Sequence, residues 1–116
     1  MARYQTVTDR RFAALADPTR RAMVERLVRG SATVSDLAEP FGMALPTVLQ
    51  HLKTLEDSGL IRSDKKGRVR TCDIDGAAMQ GVERWFAAQI GIWQGRLDRL
   101  DALALRLAAE QQAGER

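Results

Sequence analysis

Basic side chains are concentrated in one short stretch of the sequence. Of the nine residues between positions 62 and 70, five are basic and one, Asp64, is acidic. The basic residues are Arg62, Lys65, Lys66, Arg68 and Arg70. Cations gathered around a turn are typical of a surface that binds phosphate groups, although the tip of a solvated β-hairpin would have the same composition. The net charge of the whole chain is only +3, so the placement of these cations is the stronger signal.

A predicted helix just before this stretch carries side chains that could contact the bases of DNA. Its apolar residues recur at the spacing of one helical face and are predicted to face the core: Leu45, Val48, Leu52 and Leu55. The opposite side would present Pro46, Thr47, Gln50, His51, Lys53 and Thr54. The amide of Gln50 can pair bidentately with adenine N6 and N7, whereas Lys53 and the cations of the hairpin are suited to phosphates.

Little else in the sequence could do chemistry. The chain contains one cysteine, Cys72, and one histidine, His51, and together they cannot supply the four ligands of a typical zinc site. We predict no metal, no other cofactor and no enzymatic activity, because no acidic pair, glycine-rich phosphate loop or activated nucleophile is evident. His51 is interpreted as facing DNA or as a half-exposed surface residue. Cys72 is interpreted as a small buried residue, with a redox switch as the alternative.

Four helices are predicted to position these side chains. A short first helix is indicated by Phe12, Leu15 and Ala16. Asp17 followed by Pro18 predicts the start of a second helix, because Asp is a preferred N-cap and Pro suits the first helical position. Its buried stripe is predicted to be Met23, Val24, Leu27 and Val28. Thr33 and Asp36 form a capping-box pattern at the start of a third helix, whose apolar face is Val34, Leu37, Ala38 and Phe41.

The order of the elements predicts a known DNA-binding architecture. A tight turn at Gly42 joins the third helix to the fourth, and two extended runs follow, residues 60–64 and 68–74. These runs predict a β-hairpin joined through Lys65-Lys66-Gly67. The fold is therefore predicted to be mainly α with a small hairpin wing, in the order α-α-α-α-β-β-α. In such a winged helix-turn-helix, the second helix of the pair enters the major groove.

The last helix carries a separate signal. Asp75 is expected to cap a long helix that reaches about residue 112. Its apolar residues alternate spacings of four and three, as in a coiled-coil seam: Phe86, Ile90, Trp93, Leu97, Leu100, Ala104 and Leu107. A second copy of the helix is the simplest cover for this seam, so a homodimer is predicted. Packing against the first helix of the same chain is the alternative, but it cannot cover the whole seam.

Length and composition bound the remaining possibilities. The chain has 116 residues, 45% hydrophobic and 28% charged, which is ordinary for a globular protein. We predict one domain over residues 1–116, with a DNA-binding core at about 12–74 and a dimerisation helix at about 75–112. No run is apolar for long enough to span a bilayer and the start does not resemble a signal peptide. We therefore expect no membrane partner and a cytoplasmic location, which a single cysteine also fits.

The sequence resembles the ArsR-type winged helix-turn-helix repressors. The resemblance is carried by ALADPTRRAMVERL, by TVSDLAEPFGMALPTVLQHLKTLEDSGLI and by KKGRVR, and it covers nearly the whole chain from Phe12. It implies a dimer built on the first and last helices. It also implies repression at an inverted-repeat operator in double-stranded DNA, often upstream of the repressor's own operon.

Departures from the family pattern concern DNA reading and sensing. Ala44 and Leu49 stand where relatives commonly have serine. Leu49 could contact a thymine methyl group or pack against the preceding helix, and in either case the operator sequence cannot be transferred from a relative. The paired cysteines of arsenic and cadmium sensors are absent from the third helix, and the last helix lacks the histidines of zinc sensors. A small apolar inducer could bind near Trp85, Phe86 and Trp93, or this cluster could be plain dimer core. The alternative function is a winged-helix module that docks on another protein, which Leu49 on the reading side would suit.

Overall fold

Helices and short strands follow one another in the predicted order. In the computed structural model, which describes residues 6–114, the α-helices are α1 (Val7–Leu15), α2 (Pro18–Val28), α3 (Val34–Ala38), α4 (Leu45–Asp57) and α5 (Gly76–Gly114). The strands are β1 (Ala32–Thr33), β2 (Ile61–Lys66) and β3 (Val69–Ile74). A single 3₁₀ turn, Glu39–Phe41, follows α3, because Pro40 cannot continue an α-helix. The prediction of a mainly helical winged helix-turn-helix is confirmed.

Side-chain caps fix the starts of the helices where the sequence predicts them. The Asp17 carboxylate accepts a hydrogen bond of 3.0 Å from the backbone N–H of Arg20 at the start of α2. Thr33 and Asp36 form a complete capping box on α3. The Asp75 carboxylate accepts a hydrogen bond from the backbone N–H of Ala78 at the start of α5. Each cap satisfies a backbone donor that has no partner within its own helix.

The sheet differs from the prediction in two ways. It has three antiparallel strands in the order β1-β3-β2, since Ala32 pairs with Cys72 and Thr33 pairs with Thr71. The short β1 was not predicted. The hairpin loop is also shifted, because Lys66 pairs with Val69 and leaves only Gly67 and Arg68 in the turn. Gly67 has a φ of +62°, and glycine in the first position of a two-residue loop is typical of a type II′ turn.

One hydrophobic core lies among the helices before the hairpin and the base of the sheet. Its buried apolar residues are Ala14, Met23, Val24, Leu27, Ala32, Leu37, Val48, Leu52, Leu55, Leu60, Ile61, Cys72 and Ala78. Two core predictions are wrong. Val28 is 61% exposed, because it lies about 40° further round α2 than Val24, beyond the edge of the stripe. Leu45 is 55% exposed, because it begins α4 one turn before the first buried residue of that helix, Val48.

The chain forms two compact units, and the boundary between them falls within α5. The unit called the head here ends at Val82, and the α5 extension begins at Glu83. In the head, Ala78 is buried and Met79 and Val82 pack against the core. The extension continues as an uninterrupted helix to Gly114, two residues past the predicted end. Within residues 6–114, no helix is long and apolar enough to cross a membrane. The single-domain division proposed from the sequence stays a prediction.

Candidate nucleic-acid interface

Helix α4 presents a polar side away from the core. Val48, Leu52 and Leu55 are buried, which turns the opposite side of the helix outward. The predicted reading residues that lie exposed on α4 are Pro46, Thr47, Gln50 and Lys53. Lys53 lies 3.9 Å from the Asp57 carboxylate, and both side chains are about two-thirds exposed. Such an exposed pair is weak, so the ammonium group of Lys53 can still contact an anion.

Two other predicted reading residues point elsewhere. His51 is only 17% exposed, and its Nδ1 lies 3.3 Å from an Arg20 guanidinium nitrogen and 3.9 Å from the Asp17 carboxylate. The Thr54 side chain is half-buried, and its hydroxyl donates to the carbonyl of Gln50 within α4. The His51 ring therefore lies against α2 in the described structure, and a contact between His51 and DNA stays a prediction. Both residues lie on the flanks of the buried stripe, where a face assignment from helical spacing is least certain.

The wing carries the predicted cations on exposed positions. Lys65, Lys66, Arg68 and Arg70 are all exposed, with Arg68 in the turn itself and the others on the two strands. Lys65 and Arg70 are directly paired across the strands, so they project from the same face of the hairpin. Lys66 pairs with Val69 and belongs to the other face. The cations therefore surround the wing tip rather than form a single row.

A chain of hydrogen bonds connects the wing to α4. The Arg70 guanidinium donates to the Ser63 hydroxyl at 2.8 Å, and that hydroxyl donates to the Glu56 carboxylate. Ser63 lies on β2, Arg70 on β3 and Glu56 on α4. Because a charged partner stands at each end, these bonds are stronger than bonds between neutral groups. These bonds link the wing to α4 within the head.

An open cleft separates the wing from the start of α4. It has a volume of about 570 Å³, and its lining residues are Thr33, Val34, Ser35, Leu45, Leu49, Lys65, Arg68, Val69 and Arg70. Leu45, Leu49 and Val69 are 55%, 42% and 53% exposed. Exposed aliphatic side chains thus lie next to three cations. The cleft was not predicted from the sequence, because Leu45 was assigned to the core.

The run Asp17-Pro-Thr-Arg20-Arg21 has a structural role that sequence reasoning missed. Arg20 donates to the backbone carbonyls of Ala13 and Ala14, and Arg21 donates to those of Leu15 and Ala16. These carbonyls lie in the last turn of α1, where backbone acceptors run out of helical donors, although that of Ala13 also accepts from the N–H of Ala16. The pKa of the Asp17 carboxyl is lowered, first by the hydrogen bond that it accepts from the backbone N–H of Arg20. Electrostatic interactions with His51 and Arg20 lower this pKa further. Two adjacent arginines after a helix end were the available signal.

Cys72 is buried in the centre of the sheet. Its side chain is 1% exposed, which confirms the prediction of a small buried residue. Burial raises the pKa of the Cys72 thiol, and the Glu56 carboxylate adds to the effect. Within residues 6–114, no group of three His, Cys, Asp or Glu side chains lies close enough together to hold a metal ion.

A helix-turn-helix with an exposed second helix and a basic hairpin defines the class of winged helix-turn-helix proteins. A family model described as a helix-turn-helix domain matches residues 15–64. The transcriptional repressor SdpR of Bacillus subtilis is 31% identical over 75 residues, which cover 65% of this chain and 83% of that protein. The regulator Rv2034 of Mycobacterium tuberculosis is 43% identical over 67 residues, 58% of this chain. That match spans 63% of the mycobacterial protein, less than two thirds of its length.

Solved structures agree with these relatives. The crystal structure of an ArsR family transcriptional regulator is 54% identical, with a TM-score of 0.74 over 77% of this chain and 98% of that chain. The solution structure of a homodimeric winged helix-turn-helix DNA-binding domain from Mycobacterium bovis is 27% identical, with a TM-score of 0.58 over 80% of this chain and 83% of that chain. The chain belongs to the ArsR family of transcriptional regulators.

Proposed function

We propose that this protein is a homodimeric repressor that binds an inverted-repeat operator in double-stranded DNA, including one upstream of its own gene. The observation that carries the proposal is the combination, in one head, of the exposed polar side of α4 and the cations around the wing. A helix of this kind fits the major groove, and the adjacent cations fit the phosphates beside it. We place this activity in the cytoplasm, with no membrane partner and no resident cofactor.

The side chains of the head divide into base-reading and phosphate-binding groups. Gln50 is our candidate for reading adenine, and Thr47 and Pro46 lie at the N-terminal end of α4 that approaches the base edges first. The phosphate-binding residues are proposed to be Lys53, Lys65, Lys66, Arg68 and Arg70. Phosphate contacts set the register of the protein but carry no sequence information. His51 and Thr54 are left out, because their side chains are half-buried and bonded within the head. Arg70 is kept, because it is exposed and its guanidinium has further N–H donors beside the one bonded to Ser63.

The α5 extension is proposed to form the dimer interface. The proposed interface residues share one side of the helix: Phe86, Ile90, Trp93, Leu97, Leu100 and Leu107. Of these, Ile90, Trp93, Leu100 and Leu107 are each more than half exposed, and large apolar side chains aligned at this spacing are typical of a helix that packs on a second helix. The homodimeric Mycobacterium bovis structure supports a homodimer. Two-fold symmetry would then match an inverted repeat.

A small apolar inducer is proposed to bind near Trp85, Phe86 and Trp93. Trp85 and Phe86 form an edge-to-face pair with ring centroids 5.3 Å apart, and the Arg96 guanidinium lies 5.8 Å from the Trp93 ring centroid. Quenching of tryptophan fluorescence on titration with apolar compounds would reveal such binding.

Two substitutions in the head test the DNA-binding proposal. Gln50→Ala should weaken binding to the specific operator by about 1 to 3 kcal/mol and leave binding to random DNA unchanged. Lys66→Ala should weaken both alike and reduce the salt slope of the association constant by about one unit. The measurement is a gel-shift titration at several salt concentrations, with the fragment upstream of the protein's own gene and a random fragment of equal length.

Arg106→Ala is the matched charge control, because Arg106 is exposed on α5 and outside the head. It should leave affinity and salt slope unchanged. Equal losses on operator and random DNA for Gln50→Ala would remove Gln50 from the base-reading residues. An Arg106→Ala slope change as large as that of Lys66→Ala would contradict a phosphate site at the wing.

A second candidate function is docking on another protein. It is favoured by the exposed leucines of α4, Leu45 and Leu49, because apolar side chains are enriched at protein interfaces. The same cleft contains Lys65, Arg68 and Arg70, which favour DNA. Absence of binding to any fragment of the upstream region at low salt would support the docking function instead.

A further inference from the structure

The cleft between α4 and the wing exposes apolar side chains, which neither phosphate binding nor hydrogen bonding to base edges requires. Leu45 and Leu49 are four residues apart on α4, so they lie one above the other on the same side of the helix. Val69 of the wing lines the same cleft, and all three are at least two-fifths exposed. Leu45 is the first residue of α4, at the end that enters the major groove first.

Aliphatic side chains can recognise one feature of the base edges in the major groove. The other groups there are hydrogen-bond donors and acceptors, whereas thymine presents its C5-methyl group. A leucine placed against a donor or acceptor would remove its water without replacing the hydrogen bond, which is unfavourable. A leucine placed against a methyl group buries apolar surface on both sides, which is favourable.

The charges around the cleft identify DNA as the occupant. Lys65, Arg68 and Arg70 lie in its wall beside the aliphatic groups. An apolar protein partner would have to cover these cations or pair them, whereas the phosphates on either side of a base step would pair them directly. Cations and aliphatic groups in the wall of one cleft are the arrangement that a thymine-containing groove complements.

We propose that Leu45 and Leu49 are specificity-determining residues that contact thymine methyl groups in each operator half-site, with Val69 closing the cleft from the wing side. This inference rests on the proposed function and deepens it. It implies that thymine lies at the positions beneath the N-terminal half of α4.

Replacement of thymine by uracil tests the proposal, because uracil differs from thymine only in lacking the methyl group. The upstream fragment is amplified once with dTTP and once with dUTP, and the affinity of the wild-type protein is measured for both at one salt concentration. The wild type should bind the uracil fragment more weakly, by about fourfold for each methyl group contacted. The variant with both Leu45→Ala and Leu49→Ala should bind the two fragments with nearly equal affinity.

Controls separate lost methyl contacts from altered duplex stiffness and from misfolding. Val28→Ala removes an exposed valine on α2, and Lys66→Ala removes a cation of the wing. Both variants should keep the wild-type ratio of the affinity for the thymine fragment to the affinity for the uracil fragment. Alanine is the best helix former, so the double variant should keep its helical circular dichroism. Leu49→Ala alone provides a second variant, expected to lose part of the ratio.

Three outcomes are distinguishable. A lower ratio in the leucine variants than in the controls supports the proposal. Specific binding by the wild type with equal affinity for both fragments overturns it and leaves the proposed function intact, as does an unchanged ratio in the leucine variants. If the wild type does not prefer the thymine-containing upstream fragment over random DNA, the proposed function itself fails.

Discussion

The head and the α5 extension use apolar residues in opposite ways. In the head, apolar side chains from helices and strands meet in a single buried core. In the extension, residues 83–114, the structure records no buried residue although the sequence is rich in leucine, with Trp93 and Ile90 more than half exposed. The head therefore buries a core of its own, whereas the described extension carries exposed apolar surface of the kind that marks an interaction site.

This difference teaches that stability and assembly are encoded in separate parts of the sequence. Substitutions in the core of the head should act on unfolding, and substitutions along the exposed seam of α5 should act on association. Because a dimer is stabilised by mass action, both quantities have to be compared at one fixed protein concentration.

The largest effect is expected from Leu55→Ala in the head. Leu55 is fully buried, and removal of a buried leucine side chain leaves a cavity that costs about 2 to 5 kcal/mol of unfolding free energy. Urea unfolding followed by circular dichroism gives the value. Leu105→Ala is the matched control, because Leu105 is 73% exposed and off the seam, and it should change the free energy by less than about 0.5 kcal/mol. Equal changes in unfolding free energy for the two variants would contradict the proposed difference between head and extension.

An intermediate effect is expected from Trp93→Ala in the seam. Tryptophan is the residue type most often found to dominate interface energetics, so the dimer should be weakened by about 2 kcal/mol. Sedimentation velocity across a concentration series measures the dissociation constant. Ile92→Ala removes an exposed apolar residue from another side of α5 and should leave the constant unchanged. A wild-type protein that sediments as a monomer at every concentration would refute the dimer.

The smallest effect is expected from acid acting on Asp17. Its folded-state pKa is lowered, so its contribution to stability is complete above the unfolded pKa of about 3.9 and is lost as the pH falls through the folded value. The urea midpoint of the wild type should therefore fall more steeply than that of Asp17→Asn as the pH is lowered from 5 to 3. Glu25→Gln, on an exposed position of the same helix, should follow the wild type. Parallel curves for all three proteins would exclude Asp17 as a source of acid sensitivity.

Local signals predicted most of the fold. The caps at Asp17, Thr33 and Asp75 depend only on residues three positions away, so the sequence contains all the information needed to place them. The short β1 could not be predicted from local sequence. Its two residues form a strand only because they pair with β3, which lies much later in the sequence. The hairpin turn moved by one residue for a similar reason, since pairing between Lys66 and Val69 fixes it.

The site was predicted less completely than the fold. Helical spacing correctly placed Gln50 and Lys53 on the exposed side of α4, but it could not show that His51 would turn toward Arg20. That contact joins residues 31 positions apart and depends on how α2 packs on α4. The reading roles of the exposed residues stay predictions until DNA binding is measured.

The hydrogen-bond chain from Arg70 through Ser63 to Glu56 has a thermodynamic consequence. Side chains that these bonds hold in the free protein have already lost conformational entropy during folding, so that cost does not recur when DNA is bound. We expect the free protein and its complex to show nearly the same backbone order at the base of the hairpin. Affinity then depends mainly on the contacts themselves rather than on the ordering of the protein.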